Sequence, residues 1–236
     1  MGAGLTGLPA AQPVPPLPTS LLPLPTALLP RSFFARPAVA VAPELLGCVL
    51  RHESADGPVA VVITEAEAYA GSADPASHAF RGRTPRNAVM FGEPGHAYVY
   101  FTYGMHYCVN LVCMPAGTAE GVLLRAGRVI EGAPLAAARS APGAPPRDLA
   151  RGPARLCRAM AITRAQDGAD ACDPASPLRV LARAVPVPQT AHGPRVGVSQ
   201  GADTPWRFWI TGEPTVSPYR AHVPKRRPGQ KVPRPG

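Results

Sequence analysis

The chain has 236 residues, of which 46% are hydrophobic, which is enough for one domain with a buried core. Its formal net charge of +9 favours polyanionic partners, nucleic acid first and an anionic membrane surface second, although a merely soluble basic protein is an alternative. All but two of the 24 basic residues are arginines, and both lysines lie in the last dozen residues, which excludes a Schiff-base lysine in the core. The five cysteines lack CxxC spacing, which argues against a disulfide framework or a zinc site.

Both ends of the chain differ in composition from the middle. Residues 1–30 carry no charge and contain eight prolines, which interrupt both the apolar run of a secretory signal and a membrane helix. We therefore predict a disordered Pro-rich extension over 1–30 in a cytoplasmic protein that is neither secreted nor held in a membrane. Residues 220–236 hold six basic residues and no acid, which predicts a basic disordered tail that either contacts phosphates or has no role.

The strongly patterned part, residues 31–219, predicts strands mixed with short helices. Ala55-Asp56-Gly57 is typical of a hairpin turn, and Gly152-Pro153 opens a helix that ends near residue 162. Residues 133–150 are rich in Ala, Pro and Gly and are expected to form a surface insertion. Another helix is expected at 38–46, and strands at 47–53, 58–67, 96–103, 107–113, 121–126, 178–184, 195–199 and 207–211. We predict one mixed α/β domain rich in antiparallel strands, without a GxGxxG or P-loop motif for a nucleotide.

Aromatic side chains are concentrated between residues 67 and 125. Five of the six tyrosines lie between Tyr69 and Tyr107, and strand packing alone could explain any one of them. Tyrosine suits a surface that is apolar on its face and polar at its tip. The cluster as a whole indicates a stacking platform for a planar ligand such as a nucleobase. Tyr103 precedes Gly104 at an expected turn, where an exposed ring either wedges into a stack of bases or is incidental.

Glu67 ends a strongly apolar predicted strand. Alternation along that strand places Glu65, Glu67 and Tyr69 on one face. One interpretation is a surface ion pair, and the other is a general base beside an aromatic wall. Arg125, which ends another apolar run, is the expected partner that would keep such a carboxylate ionised.

A set of short motifs occurs in order along the chain. They are Glu67-Ala68-Tyr69, His78, Thr84-Pro85-Arg86-Asn87, Tyr98-Val99-Tyr100, Tyr103-Gly104-Met105 and Val122-Leu123-Leu124-Arg125-Ala126. Together they resemble the alkyladenine (3-methyladenine) DNA glycosylases, also called methylpurine glycosylases. The resemblance covers roughly residues 29–218. It implies a single mixed α/β domain around a curved antiparallel sheet with flanking helices.

The resemblance implies a monofunctional DNA N-glycosylase of base excision repair. Such an enzyme flips an alkylated or deaminated purine out of the duplex and hydrolyses its N-glycosidic bond. Glu67 matches the family's water-activating base, and Arg125 matches the arginine near that water and the sugar–phosphate. The expected partner is double-stranded DNA with damaged purines, which include 3-methyladenine, hypoxanthine and ethenoadenine. A monomer is expected, with no cofactor, no metal and no lyase activity.

The resemblance also implies a base pocket and a duplex wedge. Tyr69, His78 and Tyr100 match the residues that sandwich the flipped base. Asn110 matches the pocket asparagine that crowds the 2-amino group of guanine. Tyr103 matches the side chain that fills the gap left in the duplex. Together these residues predict how a damaged purine is received, while the preferred lesion stays open.

Two other interpretations compete with this one. A non-enzymatic nucleic-acid-binding module would explain the charge and the aromatics, but not an acid among them. A metal-dependent hydrolase would use histidines whose spacing fits no familiar metal motif. Its candidate ligands are His78, His96, His106 and Glu67. His106 also departs from the resemblance, because some relatives carry an aromatic ring beside the wedge.

Overall fold

The computed structural model describes residues 24–102, 104–183, 186–187 and 189–223. Within them, eight strands form one open antiparallel sheet with a few short helices, which confirms the predicted single mixed α/β domain. The strands are β1 (Cys48–Ser54), β2 (Gly57–Tyr69), β3 (Ala97–Thr102), β4 (His106–Cys113), β5 (Glu120–Glu131), β6 (Leu178–Arg183), β7 (Thr190–Gly193) and β8 (Arg207–Ile210). The helices are α1 (Arg31–Phe34), α2 (Ala38–Glu44), α3 (Ala133–Ala138) and α4 (Pro153–Ala159), with 3-10 turns at Gly71–Ala73, Ala88–Phe91, Pro146–Asp148 and Arg164–Gln166.

The central strand of the sheet, β2, changes its partner partway along. The sheet runs in the order β3-β4-β5-β2-β1-β6, while β8 pairs with β2 and β7 pairs with β8. β2 pairs with β1 over its first half and with β8 at Glu65, Ala66 and Glu67. Of three register irregularities against β5, one lies at Ala60/Val61 and two lie in the same region, between Ile63 and Ala66. Irregularities of this kind bend a strand and re-aim its side chains, and two of them come just before Glu67.

The hydrophobic core lies between the sheet and helices α2 and α4. Aliphatic side chains of β1, β2, β4 and β5 are completely buried there, together with Val41 of α2 and Leu156 of α4. Burying one such side chain contributes roughly 1.5–3 kcal/mol. A Cβ atom at Gly127 would lie 2.8 Å from two side-chain atoms of Val61, so glycine allows β5 to pass close to β2. β5 continues to Glu131, beyond its predicted end at residue 126.

Most predicted elements are confirmed, with two corrections. Helix α4 begins at Pro153 as predicted but ends at Ala159, because Ala161 has a left-handed φ of 54° that no helix continues. The strand predicted at 195–199 is wrong, and β7 lies before it in the chain instead. Arg195 is held by a buried ion pair and Gly197 has a φ of 72°, so this segment cannot follow the alternation of a strand.

Two segments that were predicted to be disordered or to form a surface insertion are partly packed against the domain. Residues 133–150 contain α3, in which Ala136 is completely buried. Residues 24–30 were predicted as part of the disordered extension, but they lie along β6. There the Ala182 N–H donates to the Ala27 carbonyl (2.7 Å), and Leu28 packs against the core. The prediction of disorder is wrong for residues 24–30, because the leucines of this stretch pack against the hydrophobic core. Residues 1–23 and 224–236 lie outside the described residues.

Candidate active site

A cavity of about 450 Å³ lies beside the C-terminal end of β2. Its walls come from the end of β2, the loop at 75–78, the β3–β4 hairpin, β5 and the loop at 196–199. Aromatic rings with a few polar groups form the lining, which is the usual make-up of a small-ligand site. The structure brings four residues of the predicted base pocket to this lining, together with one of the two predicted catalytic residues. They are Tyr69, His78, Tyr100 and Asn110, with Arg125.

Three rings form one wall of the cavity. Tyr98 and Tyr100 lie two positions apart on β3 and therefore share a face, with ring centroids 5.5 Å apart and ring planes inclined by 29°. The His78 ring lies edge-on to Tyr100 at 4.5 Å. Burial and the nearby Arg86 guanidinium lower the pKa of His78, and burial raises the pKa of Tyr100 well above its ordinary value. At neutral pH this wall therefore presents uncharged rings.

Glu67 lies directly behind the cavity lining, and its side chain is 0% exposed. Its Oε1 accepts a hydrogen bond from the Val196 backbone N–H (2.7 Å) and lies 3.3 Å from Arg125 Nη1. Its Oε2 accepts a hydrogen bond from the Tyr69 hydroxyl (2.8 Å). All three partners line the cavity. The structure thus brings Glu67, Tyr69 and Arg125 together as predicted, and burial rules out the alternative of a surface ion pair.

Arg125 is fixed by a second buried acid, Glu65. Arg125 Nε donates to Glu65 Oε1 (2.9 Å), and Arg207 Nε donates to the same oxygen (2.7 Å). The Ser217 backbone N–H donates to the other Glu65 oxygen (2.7 Å). Burial opposes the charge on Arg125, but Glu67 and Glu65 outweigh it and raise the pKa of Arg125 above its ordinary value. Two acids and two arginines therefore form a charge-balanced group beneath the cavity.

Asn110 lies in the cavity lining on β4, the second strand of the β3–β4 hairpin. Asn110 is held by a hydrogen bond from its Nδ2 to the Tyr98 carbonyl (3.2 Å). The hairpin ends in exposed apolar side chains, since Phe101 is 47% and Met105 is 67% exposed. Tyr103, the predicted wedge, lies outside the described residues. His106 pairs with Thr102 next to the turn of the hairpin and lines a second cavity, not the first.

Sequence reasoning missed three parts of this site. The Val196 amide comes from a loop that the sequence predicted as a strand. Alternation had placed Glu65 beside Glu67, so a signal for that residue existed, but it was given no role. Asp74 forms a buried ion pair with Arg195, and the two residues are 121 positions apart. No local pattern can report a pair so distant in sequence.

The histidines proposed for a metal-dependent hydrolase are dispersed. His78 lies in the cavity wall, His96 lies near Arg31 and Glu93, and His106 lies next to the turn of the β3–β4 hairpin. Across the described ranges, no group of three or more His, Cys, Asp or Glu side chains could hold a metal ion. Among those residues, no helix is long and apolar enough to cross a membrane.

The sequence matches one protein family over most of its length. The family is that of the methylpurine-DNA glycosylases, and the match spans residues 32–214. A protein of Streptomyces avermitilis, named provisionally as a 3-methyladenine DNA glycosylase, is 58% identical over 200 residues, which cover 84% of this chain and 94% of that protein. A protein of Leifsonia xyli with the same name is 56% identical (81% and 92% covered), and one of Corynebacterium glutamicum is 44% identical (80% and 96% covered).

Proposed function

Because the chain belongs to the methylpurine-DNA glycosylase family, and is thus a DNA glycosylase acting on alkylated bases, we propose that it flips a damaged purine out of double-stranded DNA and uses Glu67 to activate water. One observation carries this proposal. A completely buried carboxylate is bonded to three residues that all line an aromatic cavity. A binding module would have no use for such an acid, which repels phosphate.

The ring wall supports base flipping. A base that leaves the duplex loses its stacking and pairing, which costs a few kcal/mol and less for a damaged base. Stacking on an aromatic side chain returns roughly 1–3 kcal/mol per base. Tyr69, His78 and Tyr100 would hold the base. Tyr103 would fill the gap in the duplex. Exposed arginines in the loop after His78 would contact phosphates, and they are Arg81, Arg83 and Arg86.

The partners of Glu67 use three acceptor positions of its carboxylate. A carboxylate offers about four lone-pair sites. Among the described residues, Oε1 has two partners and Oε2 has one, the Tyr69 hydroxyl. Because the carboxylate is 0% exposed without DNA, a water would reach Oε2 when the cavity lining shifts as the flipped nucleotide enters, and it would then lie between the carboxylate and the sugar. Hydrogen bonds of this kind commonly form fully only in the substrate complex.

For a positively charged lesion the chemical step then needs no further group, whereas a neutral lesion would leave as an anion and take up a proton from water. The water oxygen attacks C1′ of the deoxyribose, its proton passes to Glu67, and the C1′–N bond breaks with its electron pair going to the purine. Positive charge develops on the sugar, and the negative charge of Glu67 stabilises it. General base catalysis contributes about 10²–10⁴ in rate. Arg125, held by Glu65, keeps Glu67 in place and faces the sugar–phosphate.

The substrates are purines with altered pairing or charge. A 3-methylated adenine carries positive charge, which makes it a good leaving group and draws it to electron-rich rings. Hypoxanthine and ethenoadenine are further candidates. Asn110 would exclude guanine by crowding its 2-amino group. The enzyme would act as a monomer.

Strand cleavage is not part of this function. The two lysines of the chain lie in its last dozen residues, so none is available in the core to form a Schiff base with the sugar. We expect the abasic strand to stay intact after excision. A covalent enzyme–DNA complex that is stable to borohydride would contradict this.

A lesion panel tests the proposed function. The full chain in excess is incubated with duplexes that contain hypoxanthine or ethenoadenine, and with methylated DNA that contains 3-methyladenine, and the free base is measured. Undamaged duplex serves as the control. Release of at least one damaged base, with none from the control, is expected. If no base is released from any lesion while the duplexes are bound, the chain is a binding module and the proposal fails.

A further inference from the structure

A completely buried ion pair joins two loops of the candidate site. Arg195 and Asp74 have side chains that are 0% and 1% exposed. Arg195 Nη1 donates to Asp74 Oδ2 (2.5 Å) and Nη2 donates to Oδ1 (2.9 Å), so the contact is bidentate. Removing two charges from water carries a large desolvation penalty, and an apolar pair of similar size is often as stable. The pair therefore calls for an explanation other than stability.

Arg195 contacts the strand end that carries the candidate residues. Its Nη1 also donates to the Ala68 carbonyl (3.1 Å), which lies between Glu67 and Tyr69 in the chain. Its guanidinium lies over the Tyr69 ring (4.7 Å from Cζ to the centroid) and over the Trp206 ring (5.3 Å). Arg195 is completely buried and does not line the cavity, whereas Tyr69 does. Arg195 therefore supports the side of the Tyr69 ring that faces away from the cavity.

Asp74 shapes the neighbouring loop. Its Oδ1 accepts a hydrogen bond from the Ala76 N–H (3.0 Å) and its Oδ2 from the Ala70 N–H (3.3 Å). The next four residues of the chain, 75–78, all line the cavity. A substitution of Asp74 would therefore displace the cavity wall at 75–78.

The residue after Arg195 contacts Glu67 directly. The Val196 N–H donates to Glu67 Oε1 (2.7 Å), and Val196 also lines the cavity. The Arg195–Asp74 ion pair thus positions three parts of the site: the Tyr69 ring, the cavity wall at 75–78, and the Val196 N–H that orients the Glu67 carboxylate.

We infer that Arg195 and Asp74 are positioning residues for base excision, which hold Tyr69 and the Val196 N–H in the arrangement that Glu67 requires without touching the substrate. This inference rests on the proposed function. It predicts that weakening the pair slows the chemical step far more than it weakens DNA binding. The competing explanation is a pair that serves stability alone.

Arg195→Lys separates the two explanations. Lysine keeps the positive charge beside Asp74 but loses the bidentate contact and the flat surface against both rings. The expected single-turnover excision rate falls about 10- to 100-fold, as small misplacements of catalytic groups do. The affinity for lesion duplex should change by less than about threefold, because the variant leaves the exposed residues untouched. Asp74→Asn, which keeps an oxygen for the Ala76 N–H, is the second variant if Arg195→Lys does not fold.

The matched control is another arginine–carboxylate pair, which joins β5 to the turn after β8. Arg128 Nη2 lies 2.7 Å from Glu213 Oε2, and neither residue lines the cavity. Arg128→Lys should leave the excision rate near that of the wild type. Melting temperatures and the fraction of active enzyme are measured for all variants. If the lower rate of Arg195→Lys is accounted for by lost folded protein, or if Arg128→Lys slows excision equally, the inference is overturned.

Amide hydrogen exchange provides a readout that needs no substrate. In Arg195→Lys and Asp74→Asn, exchange should accelerate at 194–199 and 70–78, and it should stay unchanged at the same places in Arg128→Lys. Unchanged exchange in all three variants would overturn the inference, even if the wild type excises bases normally. Conversely, a wild type that releases no base refutes the proposed function, while the exchange result still decides whether this pair fixes the two loops.

Discussion

The acids beneath the cavity and the side chains at the tip of the β3–β4 hairpin differ in how far they are exposed to solvent. Beneath the cavity, Glu65 and Glu67 are 0% exposed and are satisfied by donors from four other elements or loops. At the hairpin tip, Met105 is 67% exposed. Breaking a bond at a chosen atom requires charges that do not move, and burial with hydrogen bonds from several parts of the chain provides this. Meeting a duplex requires accessible side chains, which the hairpin offers.

The largest effect on stability should come from the buried group. Glu65→Ala leaves Arg125 and Arg207 with one carboxylate between them, which should destabilise the protein by about 3–5 kcal/mol. Urea denaturation followed by tryptophan fluorescence measures this. Glu53→Ala is the control, because that carboxylate also pairs with arginine but its side chain is 49% exposed. Equal losses in both variants would remove the contrast between buried and exposed charge.

Tyr100 tests the ring wall. Tyr100→Leu keeps an apolar side chain but removes stacking, so docking of the flipped base should weaken by roughly 1–3 kcal/mol. Single-turnover excision at subsaturating enzyme should slow by a corresponding factor of up to about 100. Tyr100→Phe retains the ring and is expected to behave almost like the wild type. A Tyr100→Leu enzyme as fast as Tyr100→Phe would mean that this ring does not stack on the base.

The structure shows which parts of this arrangement were within reach of the sequence. The alternation along β2 predicted that Glu65, Glu67 and Tyr69 share a face, because strand periodicity is a local property. The apolar run before Arg125 likewise placed that residue on a neighbouring strand. The resemblance supplied five residues of the cavity lining, although it could not supply their geometry.

The remaining parts depend on how distant segments meet. The change of partner in β2 brings β8 and the following chain to Glu65, and no local pattern encodes that crossing. The same holds for Asp74 and Arg195, which belong to different loops. The prediction of a strand at 195–199 is wrong for this reason, since the burial of Arg195 comes from its partner and not from the sheet.

A smaller effect is expected at the hairpin tip. Met105→Ser should change the free energy of unfolding by no more than about 0.5 kcal/mol, because the Met105 side chain is already mostly exposed in the folded protein. Its affinity for duplex DNA should nevertheless fall several-fold, since apolar side chains stabilise unstacked base steps. Val39→Ser, an exposed apolar position on α2, is the control and should leave binding unchanged. Fluorescence anisotropy with labelled duplex measures both variants.

The smallest effect concerns pH. Burial and Arg86 lower the pKa of His78 from its ordinary value of 6.5, so the ring is neutral at pH 7 and gains its charge only on the acid side. A charged His78 would repel a positively charged lesion. The ratio of 3-methyladenine to hypoxanthine excision should therefore fall a few-fold as the pH is lowered from about 7 through the range below 6.5 in which His78 takes up its proton. His78→Gln should flatten this ratio, whereas a ratio that still falls in His78→Gln would assign the titration to another group.

The role of Glu67 is tested most directly by Glu67→Gln, which keeps the shape of the side chain and removes its charge. Single-turnover excision and duplex affinity are measured on the same samples, with Glu213→Gln as a control at another buried acid. We predict a loss of about 10²–10⁴ in the excision rate of Glu67→Gln, unchanged affinity for lesion DNA, and a normal rate for Glu213→Gln. Excision by Glu67→Gln at the wild-type rate would contradict the account.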